Sequence, residues 1–183
     1  MGLRTQKRRR RENKTDYKAR RILLVSGLPR IVVRTTNKHF ILQAVESSEA
    51  QDKVLATITS KDLLKNGWDE KKKGSLKSIP AGYLTGILMA KKLGKGKYIV
   101  DLGMARTGKG GRIFSVVAGL VEGGLDVAAN DKVFPSEDRL MGEHAGLKDM
   151  VENCKNAILK VAGGRKPVAG RTGAAKVKAG GNE

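Results

Sequence analysis

Two apolar, β-branched runs joined by Asn37-Lys38 constrain the fold of this chain more than any other sequence feature. The runs are Pro29–Thr36 and His39–Ser47, and the two residues between them form a plausible tight turn, so the pattern predicts a β-hairpin. A third strand is predicted at Val54–Thr59. Alternation with a period of two residues predicts that one face of this strand holds Val54, Ala56 and Ile58. The three strands predict an antiparallel meander.

Helices and one further strand are predicted after the meander. The predicted elements are a short helix at Lys61–Asn66, a helix from Pro80 to about Leu93, a strand at Tyr98–Leu102, a helix at Gly111–Glu122, a helix capped by Ser136 and a last helix at Leu147–Val161. The two long apolar helices should be heavily buried. A strand-helix-strand order implies a crossover packed on the sheet. We therefore predict an α/β fold, in which a mixed sheet combines the meander with a parallel strand and is flanked by helices.

Charge divides the chain into three parts. Residues 1–21 hold ten basic and two acidic side chains, whereas the longer stretch 22–162 holds 22 basic and 15 acidic ones. Residues 163–183 are rich in Gly, Ala and Lys, and this composition buries too little apolar surface to offset the entropy of ordering. We predict a basic N-terminal RNA-binding segment, an α/β globular domain and a flexible basic C-terminal tail, with boundaries after residues 21 and 162.

The formal net charge of +19 indicates a polyanionic partner. Nucleic acid supplies the counter-charge most directly. A membrane partner is not expected, because the sequence shows neither a clear basic amphipathic helix nor an apolar span. The residues after Met1 are charged, so no signal peptide is expected, and the single cysteine favours a reducing, cytoplasmic compartment.

The basic N-terminal segment is the strongest functional signal, because it leads directly into the apolar stretch Ile22–Val25 and is thereby tied to the fold. Its alternatives are a solvated tail or a localisation signal. The candidate RNA-binding cations are Arg4, Lys7, Arg8, Arg9, Arg10, Arg11, Lys14, Arg20 and Arg21. Tyr17 is expected either to stack on an unpaired base or to pack against the domain.

The predicted hairpin is the second candidate RNA-binding region. Its arginines can grip phosphate with two bonds, and its small polar residues can bond phosphates or 2′-hydroxyls. An ordinary polar hairpin tip is the alternative. The candidate residues are Arg30, Arg34, Thr35, Asn37, Lys38 and His39.

A third candidate lies between the predicted strand and helix, where Gly103–Lys109 resembles the phosphate-loop pattern GxxxxGK[ST]. Gly110 stands where a Ser or Thr would bind magnesium, which argues against an NTPase. Arg106, Lys109 and Arg112 beside a helix N-terminus could hold an RNA phosphate instead. Two His and one Cys cannot form the usual zinc sites, and the carboxylates show no spacing specific to a nuclease. We predict no cofactor, no metal and no catalysis.

Four segments in this order resemble ribosomal protein eighteen of the large subunit, in its archaeal form. They are PRIVVRTTNKHFILQ (29–43), LLKNGW (63–68), AGYLTGILMAKK (81–92) and FPSEDRLMGEH (134–144). The resemblance covers roughly residues 3–162 and implies a ribonuclease-H-like sheet without that enzyme's catalysis. It implies binding to 5S ribosomal RNA through the basic segment and the hairpin. The implied partners are 5S and 23S ribosomal RNA and neighbouring proteins of the central protuberance, within the cytoplasmic large ribosomal subunit.

Two other classes of protein remain open at this point. One is a phosphate-loop nucleotide-binding enzyme or a nuclease, and the other is a generic basic RNA-binding protein. The tail after Gly163 lies outside the family resemblance, so the contacts of that tail are undetermined.

Overall fold

The computed structural model describes residues 5–48 and 51–161, so Arg4 and the predicted tail at 163–183 lie outside the described residues. The helices are α1 Arg8–Arg11, α2 Tyr17–Val25, α3 Ile79–Leu93, α4 Arg112–Glu122, α5 Glu137–Met141 and α6 Lys148–Val161. The strands are β1 Arg30–Thr35, β2 Phe40–Ser48, β3 Gln51–Thr59, β4 Lys97–Asp101 and β5 Asp126–Val127. Short 3₁₀ helices lie at Ser60–Asn66, Glu70–Ser75, Asp131–Val133 and Glu143–Ala145.

The five strands that the described residues contain form one mixed sheet in the order β3-β2-β1-β4-β5. β1 and β2 pair antiparallel, as do β2 and β3. β4 runs parallel to β1, and β5 runs parallel to β4. The predicted α/β class, the meander and the parallel strand are confirmed, whereas the two-residue β5 was not predicted. The ribonuclease-H-like motif stays a prediction.

The predicted turn of the hairpin is held by Thr36. Its backbone N–H donates to the carbonyl of His39 at 2.9 Å, and its hydroxyl accepts the His39 N–H at 2.9 Å. The hydroxyl also donates to the His39 carbonyl at 2.7 Å. A threonine side chain that bonds the backbone in this way supplies hydrogen bonds where the pairing between the two strands ends at a turn. Asn37 and Lys38 are therefore held outward at the tip.

The predicted face of β3 is wrong at Val54. Ala44 pairs with Ala56 but Val45 pairs with Val54, so Leu55 is an extra residue in a β-bulge. An inserted residue shifts the alternation by one position. Ile58 is therefore buried at 4% exposure on the inner face, while Val54 lies on the other face at 51% exposure.

The inner face of the sheet forms the main core with α3 and α4. Alternate residues of β1 and β2 are fully buried there, namely Ile31, Val33, Phe40, Leu42 and Ala44. They pack against side chains of the two helices that include Met89, Val116 and Leu120. The prediction that both helices are heavily buried is confirmed.

A second cluster of buried side chains lies between α3, α6 and the segment that follows β3. Trp68 and Tyr83, each 2% exposed, pack there beside the fully buried Cys154. Burial raises the pKa of the Cys154 thiol, so it is an inert packing group, as predicted. Ser136 occupies the N-cap position of α5, although its side chain makes no capping hydrogen bond.

Glycines bring α3 and α4 into contact along their backbones. A Cβ atom on Gly86 would lie 2.3 Å from the Val116 carbonyl oxygen, and one on Gly119 would lie 2.1 Å from the Tyr83 carbonyl oxygen. Gly82 approaches the first turn of α4, and Gly123 approaches Ala90 near the other end of α3. The two helices therefore run parallel, and side chains at these positions would force them apart.

We predict that Gly86→Ala lowers the free energy of unfolding by about 3 kcal/mol, because the added methyl group meets a carbonyl that cannot give way. An alanine in an open helical position would stabilise the chain by up to about 1 kcal/mol instead. Urea unfolding of the full chain measures the difference. Gly74→Ala is the matched control, since a Cβ there meets nothing within 4 Å. Equal effects of the two substitutions would contradict the close contact.

Candidate nucleic-acid interface

The basic N-terminal segment folds into two helices that expose their cations. α2 begins at Tyr17, where the Asp16 carboxylate accepts the N–H groups of Lys18 and Ala19 at 2.9 and 3.2 Å. α2 contains no buried residue, and Ile22 and Val25 of its last turns are 64% and 78% exposed. The predicted segment therefore ends within a continuous helix. All the predicted cations of the described part of this segment are exposed: Lys7, Arg8, Arg9, Arg10, Arg11, Lys14, Arg20 and Arg21.

Internal contacts occupy only some of these cations. Glu12 forms a salt bridge with Lys14 at 2.9 Å and a longer one with Arg8 at 3.8 Å, while Arg9 donates to the Thr15 hydroxyl at 2.8 Å. The half-buried Tyr17 lies under the Lys7 ammonium, 4.7 Å from ring centre to nitrogen. Within the described residues, six cations of the segment make no salt bridge. Four of the six also make no side-chain hydrogen bond or cation–π contact in this part of the chain, namely Arg10, Arg11, Lys18 and Arg21.

Asp52 ties α2 to the outer face of the sheet. Its Oδ2 accepts from Arg30 at 2.6 Å and from Arg20 at 3.3 Å, and its Oδ1 accepts the Ser47 hydroxyl at 2.6 Å. The Ser47 hydrogen bond, with the two guanidinium groups, lowers the Asp52 pKa despite partial burial. This carboxylate therefore stays ionised and connects β3, β1 and α2.

Arg30 differs from the predicted RNA-binding cations of the N-terminal segment because its side chain is buried. Its side chain is 8% exposed and is bound to Asp52 and Ser47. Its predicted RNA contact is disfavoured by this geometry, because a phosphate would have to displace a paired carboxylate. Arg30 holds β2 and β3 in place beside α2 through Ser47 and Asp52.

Arg34 lies at the end of β1 and is partly exposed. Its guanidinium donates to the Asp101 carbonyl at 2.8 Å and to the Asp101 carboxylate at 3.1 Å. It packs closely on Gly103, where a Cβ atom would lie 2.8 Å from the guanidinium carbon. Gly103 has a φ of +61°, a conformation that favours glycine. Arg34 is thus held beside the loop that follows β4.

Two grooves lie at the edge of the sheet where β1 and β4 end, one on each face. The first, a cavity of about 410 Å³, lies on the outer face. Its lining includes Arg9, Lys14, Arg20 and Arg34, the carboxylates of Asp16 and Asp101, and apolar residues of α2 and β4. The second, of about 330 Å³, lies on the helix face and is lined by Thr35, Lys77, Arg106, Lys109 and Arg112 together with glycines of the loop after β4. The neighbouring residues Arg34 and Thr35 separate them, since adjacent strand residues face opposite sides.

The hairpin tip lies beside both grooves. Thr35, Asn37 and Lys38 are exposed, as the prediction of an RNA contact requires. His39 is half-buried, and its Nδ1 atom has no hydrogen-bond partner in the described part of the chain. The structure therefore brings most of the predicted hairpin residues to the edge of the sheet that carries the grooves.

The loop after β4 departs from phosphate-loop geometry as well as from its sequence pattern. α4 begins at Arg112, three residues after Lys109, and Gly110 between them has a φ of +64°. In a phosphate loop the lysine and the following hydroxyl residue open the helix. The alternative of a phosphate-loop enzyme is therefore disfavoured by the structure.

A third groove, of about 510 Å³, carries the opposite charge. It is lined by the carboxylates of Glu122, Glu137, Asp138, Glu143 and Glu152 and by two lysines, Lys148 and Lys155. At its wall the Tyr83 hydroxyl donates to Glu122, and Lys155 donates to both. Burial and the hydrogen bond to Glu122 raise the Tyr83 pKa to about 12. This excess of carboxylates repels RNA, so the third groove is outside the candidate interface.

Neither a metal-binding cluster nor a membrane-spanning helix is found in the described ranges 5–48 and 51–161. They contain no group of three or more His, Cys, Asp or Glu side chains arranged to hold a metal ion. None of their helices is long and apolar enough to cross a bilayer.

Sequence reasoning missed two residues of the candidate interface. Asp52 is 32 residues from Arg20 and 22 from Arg30, so no local pattern connects them. Lys77 stands immediately before the Ser78 N-cap of α3. A helix start at Pro80 was predicted, but the position of that start beside α4 depends on the glycine contacts between the two helices.

We predict that Asp52→Asn releases α2 from the sheet and lowers the free energy of unfolding by about 1–3 kcal/mol, because the buried Arg30 guanidinium loses its counter-charge. Hydrogen exchange should accelerate in α2 while α3 stays protected. The folded pKa of Asp52 is lowered, so this contribution is present above the ordinary carboxyl pKa of 3.8 and is lost as the pH falls through the folded value. Asp69→Asn, at an exposed carboxylate without a salt bridge among the described residues, is the control. Unchanged exchange in α2 would refute the role of Asp52.

Known proteins resemble this chain over most of its length. The sequence profile described as "Ribosomal large subunit proteins 60S L5, and 50S L18" matches residues 2–98, just over half of the chain. The large ribosomal subunit protein uL18 of Methanoregula boonei is 44% identical over 140 residues, which cover 75% of this chain and 78% of the relative.

Two further relatives extend the match. The uL18 protein of Methanocorpusculum labreanum is 40% identical over 164 residues, which cover 84% of this chain and 92% of the relative. That of Methanoculleus marisnigri is 44% identical over 163 residues, with 84% and 91% covered. A profile match over more than half of the chain and identities of this size over most of both proteins establish the relationship, and the chain belongs to the uL18 family of large ribosomal subunit proteins.

Proposed function

We propose that this chain is a structural constituent of the large ribosomal subunit that binds 5S ribosomal RNA and attaches it within the central protuberance. Its relatives carry the name of a large-subunit ribosomal protein, and that family is structural rather than enzymatic. The further partners in this proposal are 23S ribosomal RNA and neighbouring proteins of the protuberance, in the cytoplasmic ribosome.

The observation that carries the RNA-binding proposal is the exposed, largely unpaired cation set on α1 and α2. Arg10, Arg11, Lys18 and Arg21 have no carboxylate partner among the described residues. The Asp52 contacts hold this set beside the sheet. Clustered cations that lack internal partners gain most from phosphate, because binding releases the counterions of the RNA.

The hairpin tip and Arg34 add positioning to this charge. Lys38 and Asn37 project from a turn that the Thr36 hydroxyl fixes by three hydrogen bonds. Arg34 keeps part of its guanidinium exposed beside the first groove. Phosphate contacts set the orientation of a protein on RNA, and unpaired bases and shape give selectivity. Tyr17 is partly covered by Lys7. It is the aromatic side chain that an unpaired base would reach in the basic N-terminal segment, hereafter the arm.

We predict that log affinity for 5S ribosomal RNA falls with log salt at a slope between roughly −5 and −7, which corresponds to about eight neutralised phosphates. Neutralising four of the cations, as Arg10→Gln, Arg11→Gln, Lys18→Gln and Arg21→Gln together, should make the slope shallower by about 2.8–3.6, at 0.7 to 0.9 for each contact. Filter binding at several salt concentrations measures both values.

The matched control removes four exposed lysines elsewhere, through Lys61→Gln, Lys65→Gln, Lys71→Gln and Lys73→Gln. Both variants carry the same net charge, so only a positional effect separates them. An equal change of slope in the two variants would refute the assignment of the arm.

A generic basic RNA-binding protein is the alternative function that the charge also supports. It would bind 5S ribosomal RNA and an unrelated duplex RNA of the same length with equal affinity at moderate salt. We expect the full chain to prefer 5S ribosomal RNA and to sediment with the large subunit. Equal affinities would reject the 5S assignment while leaving RNA binding in place.

A further inference from the structure

We propose that the second groove is a seat for RNA backbone phosphate, built at the paired N-termini of α3 and α4 and completed by Lys77. This inference rests on the proposed RNA-binding function and adds a separate contact surface on the opposite face of the sheet from the arm. The groove is defined by Thr35, Lys77, Arg106, Lys109 and Arg112.

The charge of the second groove is uncompensated. Four cationic side chains line a cavity of about 330 Å³, and no carboxylate side chain lines it. None of the four makes a salt bridge in the part of the chain that the structure describes. By contrast, Arg34 on the other side of the strand is paired with Asp101. Cations gathered around a cavity without a counter-charge repel one another until an anion enters.

Two helix starts meet at this groove. A Cβ atom on Gly82 in the first turn of α3 would lie 2.5 Å from the Ser115 hydroxyl and 3.2 Å from the Arg112 carbonyl oxygen. The first turns of α3 and α4 therefore touch, and their positive dipole ends lie side by side. Neither first turn contains an acidic residue. Lys77 and Arg112 stand at these two starts, where the helix dipole disfavours a cation.

The size and chemistry of the cavity fit a phosphate group with its neighbouring sugar. The Thr35 hydroxyl offers a hydrogen bond beside the four charges. A free nucleoside triphosphate would offer the same phosphate oxygens to the groove. RNA is favoured because the groove adjoins the exposed hairpin tip and because the loop lacks both the hydroxyl residue and the helix start of a phosphate loop.

The test compares cations at the starts of α3 and α4 with a cation at the end of α3. The double variant Lys77→Gln with Arg112→Gln removes cations from the positive dipole ends, so the melting temperature of the free chain should rise by about 1–4 °C. The control Lys91→Gln removes an exposed cation from the last turn of α3, where it should lower the melting temperature slightly and leave RNA binding unchanged.

RNA binding by the double variant should weaken despite its greater thermal stability. Loss of two phosphate contacts makes the slope of log affinity against log salt shallower by about 1.4–1.8. If the two proteins bind equally at 1 M salt, the double variant binds roughly 25- to 60-fold more weakly than the wild type at 0.1 M. Wild-type affinity and slope in the double variant would overturn the inference. A loss of affinity together with a lower melting temperature would also overturn it, because damage to the fold would then explain the loss.

Two further arms separate the possible sources of phosphate and the two proposals. ATP at about 1 mM should not compete with RNA, whereas ATP binding that disappears in the double variant would make the groove a nucleotide site and overturn the RNA assignment. Measuring 5S ribosomal RNA and an unrelated duplex in parallel tests the proposed function independently. If both RNAs bind equally and both weaken in the double variant, the 5S assignment fails and the phosphate seat stands.

Discussion

The backbone contact between α3 and α4 is the constraint on which the rest of the fold depends. Glycines at positions 82, 86, 119 and 123 let the two helices run parallel at short distance under the sheet. That distance lets both helices cover the inner faces of β1 and β2, where Ile31, Phe40 and Leu42 are fully buried. It also places the two helix starts together at one edge of the sheet. The main core and the second groove are thus consequences of the same contact.

Carboxylates within the candidate interface position arginines rather than neutralise the surface. Asp52 holds Arg30 and Arg20, and Asp101 holds Arg34 beside Gly103. The pairs of Asp52 with Arg20 and of Asp101 with Arg34 join partly exposed groups and contribute little to stability, but they fix the place from which neighbouring free cations project. The arm therefore combines paired arginines that set its position with unpaired ones that remain available to phosphate.

Local sequence patterns predicted the elements well and their long-range partners poorly. The hairpin at Asn37-Lys38 and the ends of α3 at Pro80 and Gly94 were readable, because turn residues, proline and glycine act on their own neighbourhood. The bulge at Leu55 was not readable, since a period-two pattern carries no sign of an inserted residue. The Asp52 contacts and the place of Lys77 in the second groove depend on residues brought together by the fold, so no local pattern could predict them.

The acidic third groove and the cationic second groove separate negative from positive charge along α4. Glu122 lies ten residues along α4 from Arg112, which is about 15 Å at the rise of a helix. A molecule with cations at one end of this axis and carboxylates at the other experiences a torque in the field of a polyanion. That torque would turn the cationic edge toward the polyanion before two surfaces touch, so a larger share of collisions would begin with the cationic edge in front. A charge separation of this kind raises the rate of encounter with a polyanion although the carboxylates make no contact with it.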